Sequence, residues 1–278
     1  MHTSYDLHTH SSASDGAYGP SELVRQAASV GVTHLALSDH DSTAGLEEAK
    51  MAAQRHGIQL IPAVEISTTW LEKSVHIVGL NIDAGCDELR QGLHALKCQR
   101  VERAEEIGRR LAKHGIDGTF EAAARLAGTG MITRTHFARY LVELGLVPTV
   151  GDVFNRYLVR GKPGYVPTRW ADLEKAVTWI TRADGIAVVA HPQRYKLTAS
   201  WMRRLLGEFK EMGGMALEVV SGCGHATDIQ VSAGHARRFG LLASTGSDFH
   251  SPEHQWLKLG RLPALPADLT PVWSAWSG

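Results

Sequence analysis

Short apolar runs alternate with longer amphipathic segments through both ends of this chain. Residues 5–8, 34–38, 59–66, 74–80, 186–190, 215–220 and 241–244 are apolar runs of strand length. Residues 20–30, 43–56, 172–183, 201–212 and 227–239 instead repeat apolar positions at helical spacing. Pro20-Ser21 opens the first helix, and Gly31 and Gly57 close the first two. The runs at 59–66 and 74–80 follow one another with only a short link, which predicts an adjacent pair of strands. Alternation of this kind predicts a parallel sheet with helical crossovers, open or closed into a barrel.

The middle of the chain differs. Four helix-like stretches, 87–114, 119–127, 134–143 and 150–158, are separated by Gly115, Gly128, Gly130, Gly145 and Pro148, with no strand among them. The predicted organisation is an α/β barrel in two parts, residues 1–86 and 166–278, around a small all-helical insertion at 87–165. Gly161-Lys162-Pro163-Gly164 returns the chain to the barrel. The insertion is expected to rise from the rim and roof it.

Composition narrows the classes. A chain of 278 residues that is 44% hydrophobic buries a large core. Its 29 basic side chains balance 29 acidic ones, which argues against a polyanion-coating protein but leaves room for a local basic pocket. Cys86, Cys98 and Cys223 form neither a C-x-x-C pair nor an even framework, so a reduced, cytoplasmic chain is expected. No charged-then-apolar leader precedes the first strand, and no stretch approaches the ~18 apolar residues of a membrane span. No obligate protein partner is evident.

Chemistry enters where the apolar runs stop. Asp6-Leu7-His8-Thr9-His10 with Asp15, then Ser38-Asp39-His40, Glu65 with His76, Ala190-His191-Pro192 and Gly246-Ser247-Asp248-Phe249-His250 all stand at such ends. In a β/α barrel these positions converge on one rim. Imidazole with carboxylate and almost no cysteine is a donor set for hard or borderline divalent metals. His8 and His10, one residue apart, would point to the same side of a strand, a spacing repeated in Asp248 and His250. Each member alone has an ordinary explanation: His40 as a helix cap, His76 as a satisfied core histidine. Glu65 is harder to explain so, because a buried carboxylate without a partner is costly. The set carries the inference, not one histidine. His2, His34, His56, His94, His114, His225, His235 and His254 lack this context and read as surface or packing residues.

Together these segments resemble the PHP (polymerase and histidinol phosphatase) family, a branch of the amidohydrolase-like barrels, on both sides of the insertion and with nine ligand-type positions in order. The resemblance implies a distorted, seven-stranded β/α barrel holding two or three divalent ions, manganese first, with iron or zinc as alternatives. It implies His8, His10, Glu65 and Asp248 on one ion and Glu65 bridging to a second held by His76 and His191. Asp15, His40 and His250 would hold a third. Such a cluster suits phosphate-ester hydrolysis by a metal-bridging hydroxide. No Gly-rich phosphate loop or nucleophilic Ser or Cys motif competes with that reading. Asp248, Glu65 and His191 are the expected catalytic residues, with Asp248 or a cluster histidine moving the proton.

Substrate choice is expected to lie in the insertion. Thr133-Arg134-Thr135-His136 opens a helix where an anion could dock on Arg134 and His136. Arg100, Glu102 and Arg103 lie on the preceding long helix, where a solvated helix face is the competing explanation. Arg160, Lys162 and Arg194 are further rim cations. The run from Thr133 to Arg139 resembles a PHP subgroup acting as 3′,5′-nucleoside bisphosphate phosphatases and, in related bacteria, as 5′→3′ exoribonucleases on short RNA. The resemblance implies a metal-dependent phosphoesterase that takes phosphate from nucleoside 3′,5′-bisphosphates or works on short 5′-phosphorylated RNA. A near-neutral chain fits a nucleotide or a single-stranded 5′ end better than a long duplex. A histidinol-phosphate-type phosphatase, an amide or lactone hydrolase and a non-catalytic PHP interaction module are the alternatives.

Overall fold

The computed structural model describes residues 3–222, 224–253 and 257–276; His2, Cys223 and His254 lie outside the described residues. The chain runs β1 (Tyr5–Asp6), α1 (Pro20–Ser29), β2 (His34–Leu37), α2 (Leu46–His56), β3 (Gln59–Trp70) and β4 (Lys73–Leu80). Then come α3 (Asp87–Ala112), α4 (Thr119–Ala127), α5 (Arg134–Glu143) and α6 (Val150–Val153), the last continued by a wide turn at Phe154–Leu158. The second part holds β5 (Ala171–Asp172), α7 (Leu173–Arg182), β6 (Ile186–Val189), α8 (Ala199–Glu211), β7 (Ala216–Ser221), α9 (Ala226–Phe239) and β8 (Leu242–Gly246). Among the described residues no helix is long and apolar enough to cross a membrane.

Seven strands follow the order β1-β2-β3-β4-β6-β7-β8, with β5 beside the far end of β3. The path nearly closes. Leu7 N donates to Thr245 O (3.0 Å), Asp248 N to His8 O (2.8 Å) and His10 N to Phe249 O (3.0 Å), joining the last strand to the first. Gly246 permits that approach, because a Cβ there would lie 2.2 Å from His8 Cβ.

The sheet is mixed rather than parallel throughout. β3 and β4 pair antiparallel through a two-residue turn at Leu71 and Glu72, both at positive φ, and β4 is also antiparallel to β6. This reversal changes where the chain enters the helices that follow β4. β4 runs away from the rim, so α3 begins at the opposite end, where Asp83 N donates to Ala183 O (2.7 Å). The 26 residues of α3 then climb about 39 Å, bringing its middle to the rim. Leu89, Leu93 and Leu96 pack with the barrel's outer helices, whereas Ala104, Ile107 and Leu111 pack among α4, α5 and α6.

Strand alternation positions the polar layer. On β3, Val64 and Ile66 face the helices, while Ile61 and Ala63 face the interior and Glu65 continues that inward row. β4 does the same in reverse, with Leu80 and Val78 inward before His76. Thus Glu65 lies within the long β3, not past a strand end as the sequence pattern suggested, and His76 lies inside β4, within the run at 74–80. His191 and Asp248 follow their strands directly, at φ 26° and 52°, in the left-handed region that non-glycine residues avoid.

Candidate metal centre

Glu65 is at the middle of the centre. Its Oε1 lies 2.9 Å from His76 Nδ1 and 2.9 Å from His191 Nε2. Its Oε2 lies 2.8 Å from His40 Nδ1, 3.3 Å from His10 Nε2 and 3.4 Å from His8 Nε2. Asp248 Oδ1 closes the same group, 3.0 Å from His10 Nε2 and 3.3 Å from His8 Nε2. Asp15 Oδ1 lies 3.4 Å from His250 Nε2 and 3.9 Å from His40 Nε2. All nine metal-type residues expected from the sequence therefore converge on one face. The donor atoms fall into three overlapping groups: His8, His10, Glu65 and Asp248; His10, Asp15, His40 and His250; and His40, Glu65 and His76. His40 thus stands between two groups, while His191 reaches the centre through Glu65.

The residues present fit a cation cluster. Asp15 Oδ1, Glu65 Oε2 and Asp248 Oδ1 are buried without a hydrogen-bond partner, although ring nitrogens surround them. Buried anions left this way are disfavoured unless a cation completes them. Protons go some way towards that. Burial alone would lower His250, yet Asp248 and Asp15 raise it to about 9; burial likewise opposes, and Glu65 and Asp15 outweigh it, in raising His40. His10 goes the other way, to about 3, through burial and the neighbouring His250 and His40 rings. The N/O donor set suits manganese, iron or zinc and selects none.

A second layer holds these ligands, and the sequence pattern passed over most of it. Asp39 accepts from Ser11 N (2.8 Å), Ser11 Oγ (2.7 Å) and Ser14 Oγ (2.6 Å), fixing the loop that carries His10 and Asp15. Asp6 accepts from Ser247 N (2.8 Å) and Gly260 N (2.9 Å), fixing the loop of Asp248 and His250. Asp15 Oδ2 accepts from Thr133 Oγ1 (3.2 Å) and Thr135 Oγ1 (2.9 Å), so the start of α5 also supports the floor. Glu218, buried on β7, accepts from His8 Nδ1 (2.8 Å). No His or Asp neighbour marks Glu218 in the sequence; only its inward place in the strand period would have found it.

Above the centre is a cavity of about 510 Å³, lined on the floor by Asp15, His40, His76, His191, Asp248 and His250. Arg100, Arg103, Arg134, Phe154, Tyr165 and Trp170 line the roof and wall. The sequence-predicted cations separate here. Arg100 reaches the cavity, but it is 7% exposed and its charge is met by Asp41 (Nε to Oδ2, 2.7 Å) and Ser67 (2.8 Å). Arg103 and Arg134 have no carboxylate partner among the described residues; each guanidinium lies over a ring, Arg103 5.2 Å from Trp170 and Arg134 5.3 Å from Phe154. Burial and the Arg134 and Arg100 charges push Arg103 down to about 9. Arg194 lines the floor side and pairs with Asp248.

Four residues expected at the rim lie elsewhere. His136 is 2% exposed and outside the cavity lining, because as the third residue of α5 its Nδ1 accepts from Thr133 N (3.1 Å) in a reciprocal cap. Glu102 is exposed, since the helical period that turns Arg100 and Arg103 inward turns it out. Arg160 and Lys162 are exposed and away from the lining.

Comparison with known proteins agrees with this geometry. The family model for the PHP domain matches residues 6–183. The chain is 46% identical over 274 residues to a 5′-3′ exoribonuclease of Haemophilus influenzae, across 98% of this chain and 99% of the relative. It is 46% identical over 269 residues to a 3′,5′-nucleoside bisphosphate phosphatase of Chromobacterium violaceum, across 96% and 94%. A solved amidohydrolase structure from Chromobacterium violaceum, with bound sulfate and no metal, superposes with a TM-score of 0.93 at 45% identity, covering 98% of this chain and 95% of that one.

Proposed function

The chain belongs to the PHP-domain family and is a metal-dependent phosphoesterase; on that premise we propose that it removes phosphate from nucleoside 3′,5′-bisphosphates and acts on short 5′-phosphorylated RNA. The observation that carries the substrate reading is the unmatched pair Arg103 and Arg134, facing the same cavity as a carboxylate–imidazole centre. One phosphate would lie on the floor and be cleaved. A second phosphate on the roof would meet two guanidiniums that otherwise repel each other. A cavity of about 510 Å³ is within the range for a nucleotide-sized ligand.

We assign His8, His10, Glu65 and Asp248 to one ion, Glu65, His76 and His191 to a second, and Asp15, His40 and His250 to a third, with manganese as the working metal. Divalent ions in such a site activate water and neutralise phosphoryl charge. The chain's own residues do the rest. Glu65 shares its two oxygens between the groups and so sets their spacing. Despite burial, Arg194 and the His8 and His250 rings hold Asp248 well below the usual carboxylate range, so it stays ionised and holds His8 and His10 in place. Arg194, beside it, presents a cation where the floor phosphate would sit. Trp170 and Phe154 act as platforms for Arg103 and Arg134 rather than as surfaces for a base. Residues 87–165 serve as the substrate cap in this reading, and the working compartment is the cytoplasm.

A phosphate-release assay with manganese tests the proposal across a nucleoside 3′,5′-bisphosphate, a nucleoside monophosphate and histidinol phosphate, and chromatography follows the nucleoside monophosphates released from a 5′-phosphorylated dinucleotide, whose diester frees no inorganic phosphate. The bisphosphate is expected to exceed the monophosphates in kcat/KM by about 10-fold or more, the scale of a charged hydrogen bond. Histidinol phosphate turning over as well as the bisphosphate, or release from none of them, refutes the proposal.

A further inference from the structure

Resting on the reading of the cluster as a metal centre, we propose that Glu218 is the positioning residue that orients His8 and His191 toward the ions, tying ligands of two ions together through one carboxylate oxygen. Glu218 Oε2 accepts from His8 Nδ1 (2.8 Å) and from His191 N (3.3 Å). A ring that gives its Nδ1 proton to a carboxylate keeps the Nε2 lone pair for a metal. Nε2 of His8 is the atom that faces Glu65 Oε2 (3.4 Å) and Asp248 Oδ1 (3.3 Å). The contact to His191 has a separate purpose. Its backbone sits at φ 26°, ψ 60° immediately before Pro192, a conformation that needs holding, and its amide is held by the same oxygen.

Glu218 reaches this place through the strand period. Ala216 faces the barrel interior, Leu217 and Val219 face the helices, and Glu218 continues the inward row just before the pairing with β8 slips between Glu218 and Val220. Oε1 has no hydrogen-bond partner, and Glu218 also borders a separate cavity of about 150 Å³ with Pro192, Gln193, Ser221 and Ile229. Glu218 belongs to none of the three donor groups. Its role is therefore to hold ligands, not to be one.

The test compares wild type, Glu218→Ala and Glu218→Gln. Each metal-stripped protein is titrated with Mn²⁺ by calorimetry, circular dichroism checks the fold, and the Zn²⁺-loaded form gives the His8 tautomer from imidazole ¹⁵N shifts. The Ala variant is expected to lose 10- to 100-fold in affinity, the range for removal of such outer partners, and to lose the fixed Nδ1–H tautomer. Gln is expected to stay within about tenfold of wild type, because its amide oxygen can take both donors while its NH₂ occupies the unpartnered side. If the Ala variant does not fold, Glu218→Leu, of similar bulk, takes its place. Wild-type affinity with an unchanged His8 tautomer in the deletion variant overturns the proposal. So does a Gln variant as weak as the deletion, which would mean charge rather than acceptance matters. A wild-type protein that takes up no Mn²⁺ fails the metal reading itself, a distinguishable result.

Discussion

The floor and the roof of the cavity differ in how completely the protein satisfies their charges. On the floor, Asp15, Glu65 and Asp248 sit among six imidazoles, and a layer behind them, Asp6, Asp39, Glu218 and Thr133, fixes loops and rings. Asp15 Oδ1, Glu65 Oε2 and Asp248 Oδ1 still lack hydrogen-bond partners. On the roof, Arg103 and Arg134 rest on aromatic faces and meet no carboxylate among the described residues. The floor lacks cations and the roof lacks an anion. A substrate with two phosphates, on a centre carrying divalent ions, supplies both.

The comparison breaks most severely at Glu65. Glu65→Ala removes the carboxylate shared by two of the three groups, and phosphate release is expected to fall by about 10³-fold, the upper scale for losing one charge-stabilising group. Bound metal, measured by plasma mass spectrometry, should fall in parallel; full metal content with full turnover would contradict the floor's role. Chelation is the reversible version. Stripping with EDTA should abolish release and lower Tm, and Mn²⁺ should restore both, because ions binding only the folded state stabilise it by mass action.

A smaller effect separates support from recognition within the roof. His136 is buried as a cap, and burial lowers it to about 4. Its folded state stays neutral while the unfolded chain takes up a proton below about 6.5. The stability linked to a neutral His136 is thus present above that pH and is lost as pH falls from about 6.5 toward 4. His136→Asn keeps a capping group and removes the titration, so the Tm gap between wild type and variant should shift against wild type as pH drops from 7 to 5, with KM for the bisphosphate unchanged at pH 7. A pH-independent gap, or a raised KM, would count against a purely capping role. Smallest of all, Glu102→Ala should change stability by no more than about 0.5 kcal/mol and leave kinetics alone. A raised KM would place Glu102 in recognition after all.

The same contrast governs how much was legible in the sequence. The floor's ligands come as short islands against apolar runs, and strand period brings them to one face whatever the remaining details. What the pattern missed there depends on sheet direction: β4 runs antiparallel, so the chain enters α3 from the end opposite the rim. Glu218 was hidden because a lone acid within a strand run has no motif. The roof was less readable for a different reason. Arg100, Glu102, Arg103 and His136 all sit on helices, and only the packing of those helices decides which is paired, exposed, facing the cavity or capping. Arg100 was claimed by Asp41, which lies 59 residues earlier.

The most direct measurement crosses the two regions. Wild type and Arg134→Ala are compared in kcat/KM on a nucleoside 3′,5′-bisphosphate and on the matching monophosphate that keeps only the cleaved phosphate. The expected result is a loss of about 10- to 100-fold on the bisphosphate, the range for a hydrogen bond to a charged group, and almost none on the monophosphate. Equal losses on both substrates, or no loss on either, would contradict the assignment of the roof to a second phosphate.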